Sequence, residues 1–298
     1  MKDRLSIRAV SLGDDLREIA PQAQKLGYSG IQLDLAFGEL KLAELSGSGR
    51  REVRHLISSA NLELESLRGA LPADLLRSGT DHDRVLWILK RGIETAAAMS
   101  VGTLCFDLGC LPGVERKAPA RATRAVPASS LIIIPDPAEV AALQEPEPPV
   151  TQEELASWSG IDAVMHEVGD IADRAGVVLA FSSELSSYAS LARLLEGAQC
   201  PWFGVDLDPV SVLRDRWDLE HVLDVVGSSL RHVRGRDAVR GSAGRTQPAN
   251  IGQGSTDWQQ MLGALDAGAF GGWIAIDTVD LPDRSSAARD AIRYLKPR

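Results

Sequence analysis

Short apolar runs alternate along this chain with longer stretches whose apolar positions recur every three or four residues. The short runs fall at 5–10, 30–34, 62–67, 103–107, 177–181, 203–208, 230–233 and 273–277, eight in all. Their β-branched and aromatic content and their length read as strands. Between them, Leu16, Ile19, Ala20, Ala23 and Leu26 share one helical face, and Val85, Leu86, Leu89, Ile93 and Ala96 another. Val164, Val168, Ile171 and Ala175 form a third, followed by Leu191, Leu194 and Leu195, then Val222, Val225 and Val226. Trp258, Met261, Leu262 and Leu265 precede the last strand, and Ala288, Ile292 and Leu295 close the chain. Strict alternation of strand and helix predicts parallel strands joined by crossover helices. Eight such units in 298 residues predict an α/β fold, a (β/α)8 TIM barrel in a single domain. An open doubly wound sheet is the alternative. Its dinucleotide fingerprint, GxGxxG after the first strand, is missing, for the chain reads AVSLGDDL there.

One segment breaks the rhythm. From 109 to 150 no long amphipathic helix is legible, and Pro135, Pro137, Pro146, Pro148 and Pro149 punctuate it. A loop of this length in a compact domain is usually functional or disordered. It follows the fourth strand, so it is expected over the barrel mouth, with the apolar patch 131–134 as a lid tip or short strand. A dispensable insertion or a contact in a homo-oligomer fits it equally.

Composition narrows the partners. The chain is 44% hydrophobic and 24% charged, with a formal net charge of −9. That balance argues against general nucleic-acid binding. No apolar run approaches the ~20 residues of a membrane helix, so no membrane partner is expected. The start, MKDRLSIRAV, lacks the apolar core of a leader. Cys105, Cys110 and Cys200 show no CxxC spacing and read as reduced, buried thiols of a cytoplasmic protein.

Against the acidic background, the segment 231–254, RHVRGRDAVRGSAGRTQPANIGQG, holds five arginines between Arg231 and Arg245. It reads as a short strand that passes into an Arg- and Gly-rich loop. A local excess of guanidinium points to a bound anion such as phosphate or carboxylate, or to a solvated loop. Barrel enzymes place reactive side chains at strand C-termini. That rule selects Asp34, Arg68, Asp107, Ser182, Glu184, Asp206, Asp208, His232, Arg234, Asp237, Asp277 and Asp280. Capping of the following helix is the plain alternative for Asp34 and Asp107. Asp206 and Asp208 flank Leu207 and so face one side of their strand.

Six segments carry a resemblance. These are GYSGIQLD at 27–34, VVLAFSSE at 177–184, FGVDLDP at 203–209, HVRGRD at 232–237, IGQGSTDW at 251–258 and GAFGGWIAID at 268–277. In order and spacing they resemble the xylose isomerase-like barrel superfamily, the sugar phosphate isomerase and epimerase group, essentially end to end. The resemblance implies a divalent cation (Mn²⁺, Mg²⁺, Co²⁺ or Zn²⁺) held by Glu, Asp, His and Glu from four strands. That cation would polarise a sugar carbonyl while two glutamates move a proton beside it.

Carried over by position, the first Glu falls on Ser182, the Asp on Asp208, the His on Arg234 and the last Glu on Asp277. A guanidinium cannot ligate a metal. Asp208 and Asp277 remain as candidate catalytic or metal-binding acids. No tightly bound divalent metal is therefore expected at this position, with Arg234 filling the space. Glu184, Asp208, His232 and Asp277 form an alternative ligand set, although a buried structural role also suits His232. Arg68, Ser182, His232, Arg234, Arg236 and Asp237 are the candidate substrate-binding residues. The resemblance thus implies a protein that isomerises, epimerises or binds a carbohydrate, sugar phosphate or sugar acid at the barrel mouth. The alternative is an inactive relative serving as a carbohydrate-binding or partner subunit. An abasic-DNA nuclease, also of this superfamily, needs more His ligands than His55, His82, His166, His221 and His232 supply, and a basic groove.

Overall fold

A computed structural model describes residues 4–76, 81–112, 152–182, 188–215, 219–241 and 246–296. The patch 131–134, Glu184, Arg245 and the excursion beyond residue 112 lie outside the described residues.

The strands are β1 (Leu5–Arg8), β2 (Gly30–Asp34), β3 (Ala36–Phe37), β4 (Leu40–Lys41), β5 (Glu63–Ala70), β6 (Thr103–Asp107), β7 (Val178–Ser182), β8 (Phe203–Leu207), β9 (Leu230–Gly235), β10 (Asp237–Arg240), β11 (Thr246–Ala249) and β12 (Trp273–Ile276). Eight of them close into a barrel in the order β1-β12-β9-β8-β7-β6-β5-β2. Each neighbouring pair runs parallel. The expected strands 30–34 and 103–107 match β2 and β6 residue for residue. The third expected strand, 62–67, runs on to Ala70. Arg68 breaks its apolar pattern in sequence, but the side chain points into the barrel and meets an acid there.

Helices follow the strands on the outside. Asp15, Asp81, Asp257 and Asp283 cap the helices Leu16–Leu26, His82–Ala98, Trp258–Ala267 and Arg284–Leu295, each accepting a backbone N–H of the first turn. A carboxylate there satisfies a donor that the helix cannot use itself. The helix Gly47–Ser59 was not legible as an amphipathic run. It buries only Val53 and Ile57 and starts on a Ser46 cap. Two antiparallel hairpins, β3 with β4 and β10 with β11, decorate the loops after β2 and β9. The second corrects the reading of 231–254 as a strand followed by a loop: half of its Arg-rich stretch is paired strand.

The outward strand faces are apolar. Ile7, Leu104, Phe106, Val205, Leu207, Val233 and Ile276 are all buried beneath the helices. Leu104 and Phe106 come so close to Gly92 of helix His82–Ala98 that a side chain there would crowd them. The inward faces are polar instead. β5 carries an extra residue between Ile31 and Gln32 of β2, which pair with Leu64 and Ser66. Glu65 is that residue. The bulge lets both Glu65 and Ser66 turn inward where strict alternation would allow one.

Candidate functional site

Two layers of charge fill the barrel axis. The deeper one is built from Ser6 on β1, Gln32 on β2, Glu65 and Ser66 on β5, Cys105 on β6, Asp206 on β8 and His232 on β9. All are buried. His232 Nδ1 lies 2.8 Å from Asp206 Oδ1, and its Nε2 lies 3.4 Å from Glu65 Oε1. β9 and β5 stand opposite each other in the strand order, so the His232–Glu65 contact spans the barrel. Ser6 Oγ donates to Glu65 Oε1 at 2.8 Å, and Gln32 Nε2 donates to Ser66 Oγ at 2.8 Å. Arg68 Nη1 descends from above to Asp206 Oδ2 at 2.8 Å.

These partners set the charges. Burial alone would raise the Asp206 pKa, yet His232 and Arg68 hold its carboxyl well below the usual range. Burial opposes a charged His232 ring, but Cys105, Glu65 and Asp206 around it outweigh that effect and raise its pKa well above the usual value. Burial pushes the Cys105 thiol up.

The upper layer lies at the C-terminal strand ends, where sequence reasoning placed the site. It brings together Asp208, Arg234, Arg236 and Asp277. Arg234 Nε donates to Asp277 Oδ2 at 2.7 Å, and Arg8 Nη1 reaches the same oxygen at 3.0 Å. Arg8 also grips Asp34, with Nη2 2.6 Å from Oδ1. Asp34 therefore serves as an ion-pair partner. Burial opposes ionisation of Asp277, but Arg234, Arg8 and Arg68 press its pKa far below the usual range. Arg236 forks onto Asp208 through Nε, 2.9 Å from Oδ1, and through Nη2 on Oδ2. Its Nη1 points to Asp280 at 3.3 Å. Asp208 also caps the short helix Pro209–Asp215: Val210 N donates to Oδ1 at 3.0 Å and Ser211 Oγ to Oδ2 at 3.2 Å. Proline at the first helical position suits this start, since its missing N–H would have had no partner.

Ser182 ends β7 at the same level. It is fully buried, and its Oγ has no hydrogen-bond partner among the described residues. Asp107 accepts from Gly109 N at 2.9 Å and shapes the turn after β6. Asp237 faces away from the axis. Its carboxylate gathers four backbone N–H groups, from Ala238, Gly252, Gly254 and Thr256, at 2.8–3.2 Å. This explains the glycines of IGQGSTDW. Gly252 has φ +81°, and a Cβ on Gly254 would collide with the Asp237 carboxylate. Asp237 thus ties the β10–β11 hairpin to the loop behind it.

Sequence reasoning missed Arg8, Glu65 and Cys105. The signal was present in Ser6/Arg8, Gln32/Asp34 and Cys105/Asp107, which are polar at alternate positions of strands expected to be apolar on both faces.

A cavity of about 270 Å³ opens at the mouth, with Ser211, Arg214, Arg236, Asp237, Asp277 and Asp280 among its polar lining residues. Among the described residues, the donors at the mouth do not suit the dication that the resemblance implies. Of the two retained acids, Asp277 already carries two guanidinium contacts, and Asp208 is enclosed by Arg236 and a helix start. A cation in reach of Asp277 would sit beside Arg234, and the repulsion of a dication from a guanidinium at ~4 Å is several kcal/mol at intermediate dielectric.

Comparisons agree with this architecture. The structure is similar to the xylose isomerase domain protein from Planctomyces limnophilus, at TM-score 0.69 and 14% identity over 98% of this chain and 94% of that one. It is also similar to the probable 3-DHS dehydratase AsbF from Bacillus anthracis, at TM-score 0.68 and 11% identity over 99% and 100%. D-psicose 3-epimerase from Clostridium cellulolyticum H10 gives TM-score 0.68 and 12% identity over 98% of both chains. At such identities the likeness shows the fold. No curated protein matches the sequence. The model of the xylose isomerase-like TIM barrel family matches residues 20–298, and the chain belongs to that family.

Proposed function

We propose that this barrel binds a carbohydrate or sugar acid in the mouth cavity without a divalent cation. The observation that carries this reading is the Arg234–Asp277–Arg8 bridge. On this reading the bridge supplies fixed positive charge in place of a metal. The cavity wall holds both donors (Arg214, Arg236, Ser211) and acceptors (Asp277, Asp280), the two capacities that sugar hydroxyls need. Its volume lies just below the ~300 Å³ lower end of drug-sized ligand pockets, so the ligand it suits is a small one. The similar structures named as an epimerase and a dehydratase, one acting on D-psicose, support a small polyoxygenated ligand.

Isomerisation or epimerisation further needs a base beside a carbonyl. Asp277, held ionised by its guanidinium neighbours, is a weak proton acceptor at neutral pH. This favours a binding protein or altered catalyst over the ordinary isomerase mechanism. Titration calorimetry against a panel of aldoses, ketoses and sugar acids, with chelator present, tests the proposal. Saturable binding that survives chelator and weakens in Arg236→Ala is the expected result. Tight stoichiometric Mn²⁺ binding that vanishes in Asp208→Ala would overturn it.

A further inference from the structure

We propose that the mouth cavity takes its ligand by a carboxylate, and that Asp280 holds that carboxylate's place on Arg236 until the ligand displaces it. The inference rests on the mouth reading above and narrows it from carbohydrates in general to small sugar acids.

The two ends of the Arg236 guanidinium are held differently. Its Nε lies 2.9 Å from Asp208 Oδ1, and its Nη2 reaches Asp208 Oδ2. Asp208 is fully buried and also accepts from Val210 N and Ser211 Oγ. Breaking that end would leave a buried carboxylate short of its cation, which is costly. At the other end, Nη1 lies 3.3 Å from Asp280 Oδ2. That distance is long for a charge-assisted bond, which runs to about 2.9 Å when well made. The Asp280 side chain is 57% exposed, against 11% for Arg236. An exposed carboxylate is hydrated as soon as it lets go, so the contact is weak and exchangeable. Asp280 stands on a turn between β12 and the last helix, outside regular structure. Arg236 is thus aimed and fixed by a buried acid, and it meets a replaceable one at the cavity.

The other carboxylates of the cavity wall are not replaceable. Asp237 is held by four backbone N–H groups, and Asp277 by Arg234 and Arg8. The wall sets Arg214 and Arg236 against Asp237, Asp277 and Asp280. A ligand carboxylate in the place of Asp280 exchanges one negative charge for another. A phosphate, with a charge of about −1.5 to −2, would add to the excess of acids. Val210, Ala238, Pro248 and Leu281 close the apolar side of the cavity and keep the acid small.

Glycolate, the smallest hydroxy acid, is the probe, with ethylene glycol as its uncharged match. The readout is the Nε–Hε NMR signal of Arg236, assigned by its loss in Arg236→Lys. Glycolate should shift that signal saturably, and ethylene glycol should not. Asp280→Asn removes the competing charge while keeping the shape. Glycolate binding should then tighten by about two- to fivefold, the equivalent of an exposed ion pair. A residue that merely helped to hold the ligand would give the opposite sign. Unchanged or weaker glycolate binding in Asp280→Asn overturns the inference, as does a wild-type signal that glycolate fails to shift. A larger response to inorganic phosphate than to glycolate overturns the choice of a carboxylate. In each case neutral sugars that still bind in the calorimetric panel leave the mouth reading intact. Failure of glycolate and of every sugar in that panel overturns both.

Discussion

The two faces of the barrel wall obey opposite rules. Outward, Ile7, Leu104, Phe106, Val205, Leu207 and Val233 pack under helices as an ordinary apolar layer. Inward, the same strands present Arg8, Cys105, Asp107, Asp206, Asp208, His232 and Arg234. The interior of a (β/α)8 barrel is usually filled by branched aliphatic side chains. Here ion pairs fill it: Arg68 to Asp206 and His232 to Glu65 cross the barrel, and Arg8 joins Asp277 at the end of the neighbouring strand. The outer layer is non-directional and tolerates any shape of similar volume. The inner one works only if every charge meets its partner. Fold is therefore carried on the outside, and the chemistry that distinguishes this chain on the inside.

The largest effect should come from breaking that inner layer. Arg68→Ala would leave Asp206 buried against His232 alone. Breaking a buried pair from one side costs about 3–5 kcal/mol. Leu104→Ala on the outer face should cost about 2–5 kcal/mol through its cavity. Urea unfolding of both variants gives the comparison, and the two should part company with pH. The Arg68→Ala deficit should shrink in acid as Asp206 protonates, whereas the Leu104→Ala deficit should stay level. Two deficits with the same pH profile would break the distinction between the faces.

Acid itself should act through the inner layer. Asp206 and Asp277 have folded-state pKa values lowered by their cationic partners. A carboxyl depressed in the folded state contributes stability that is present above its unfolded pKa and is lost as pH falls toward the folded value. Stability should therefore decline below about pH 4, near the unfolded Asp value. In Asp277→Asn this decline should be shallower, and equilibrium unfolding between neutral and acid pH measures it. An unchanged acid limb would remove Asp277 from the network.

At the mouth, Arg236→Ala should cost less. Asp208 keeps its bonds to Val210 N and Ser211 Oγ, so the loss approaches that of one charged hydrogen-bonding partner, about 1.5–3 kcal/mol. The same variant should weaken sugar-acid binding, which calorimetry reads separately from stability.

How much of this was legible follows the same division. The eight strands and most helical faces came from apolar periodicity, because the outer layer obeys it. The strand-end rule found Asp208, Arg234 and Asp277, which the structure brings together with Arg236. It could not show that Asp237 turns away from the axis to collect backbone N–H groups from a loop 15–19 residues later. Nor could it find Glu65. A bulge puts that residue inward, and bulges leave no mark on a pattern of alternating residues. The alternation of Ser6 and Arg8 marks Arg8 as inward, but its partners, Asp34 and Asp277, lie 26 and 269 residues away and could not be read from the pattern.

The smallest effect is expected where pairing occurs without burial. Arg17 Nη2 lies 2.9 Å from Glu52 Oε1, nearly the separation of Arg68 and Asp206 at 2.8 Å. Their surroundings differ. The surface pair is 69% and 60% exposed, the inner pair 5% and 0%. In water the attraction is screened, and holding two long side chains in register opposes it. Exposed pairs are accordingly worth about 0.2–1 kcal/mol. Glu52→Ala should shift stability by no more than that, and added salt should reduce the shift further. The inner pair lies beyond the reach of salt, so the Arg68→Ala deficit should change little under the same conditions. Burial, and not the short N–O distance that both pairs share, is what makes the inner face costly to disturb. A surface deficit equal to the inner one, or an inner deficit that salt erases, would reverse that ranking.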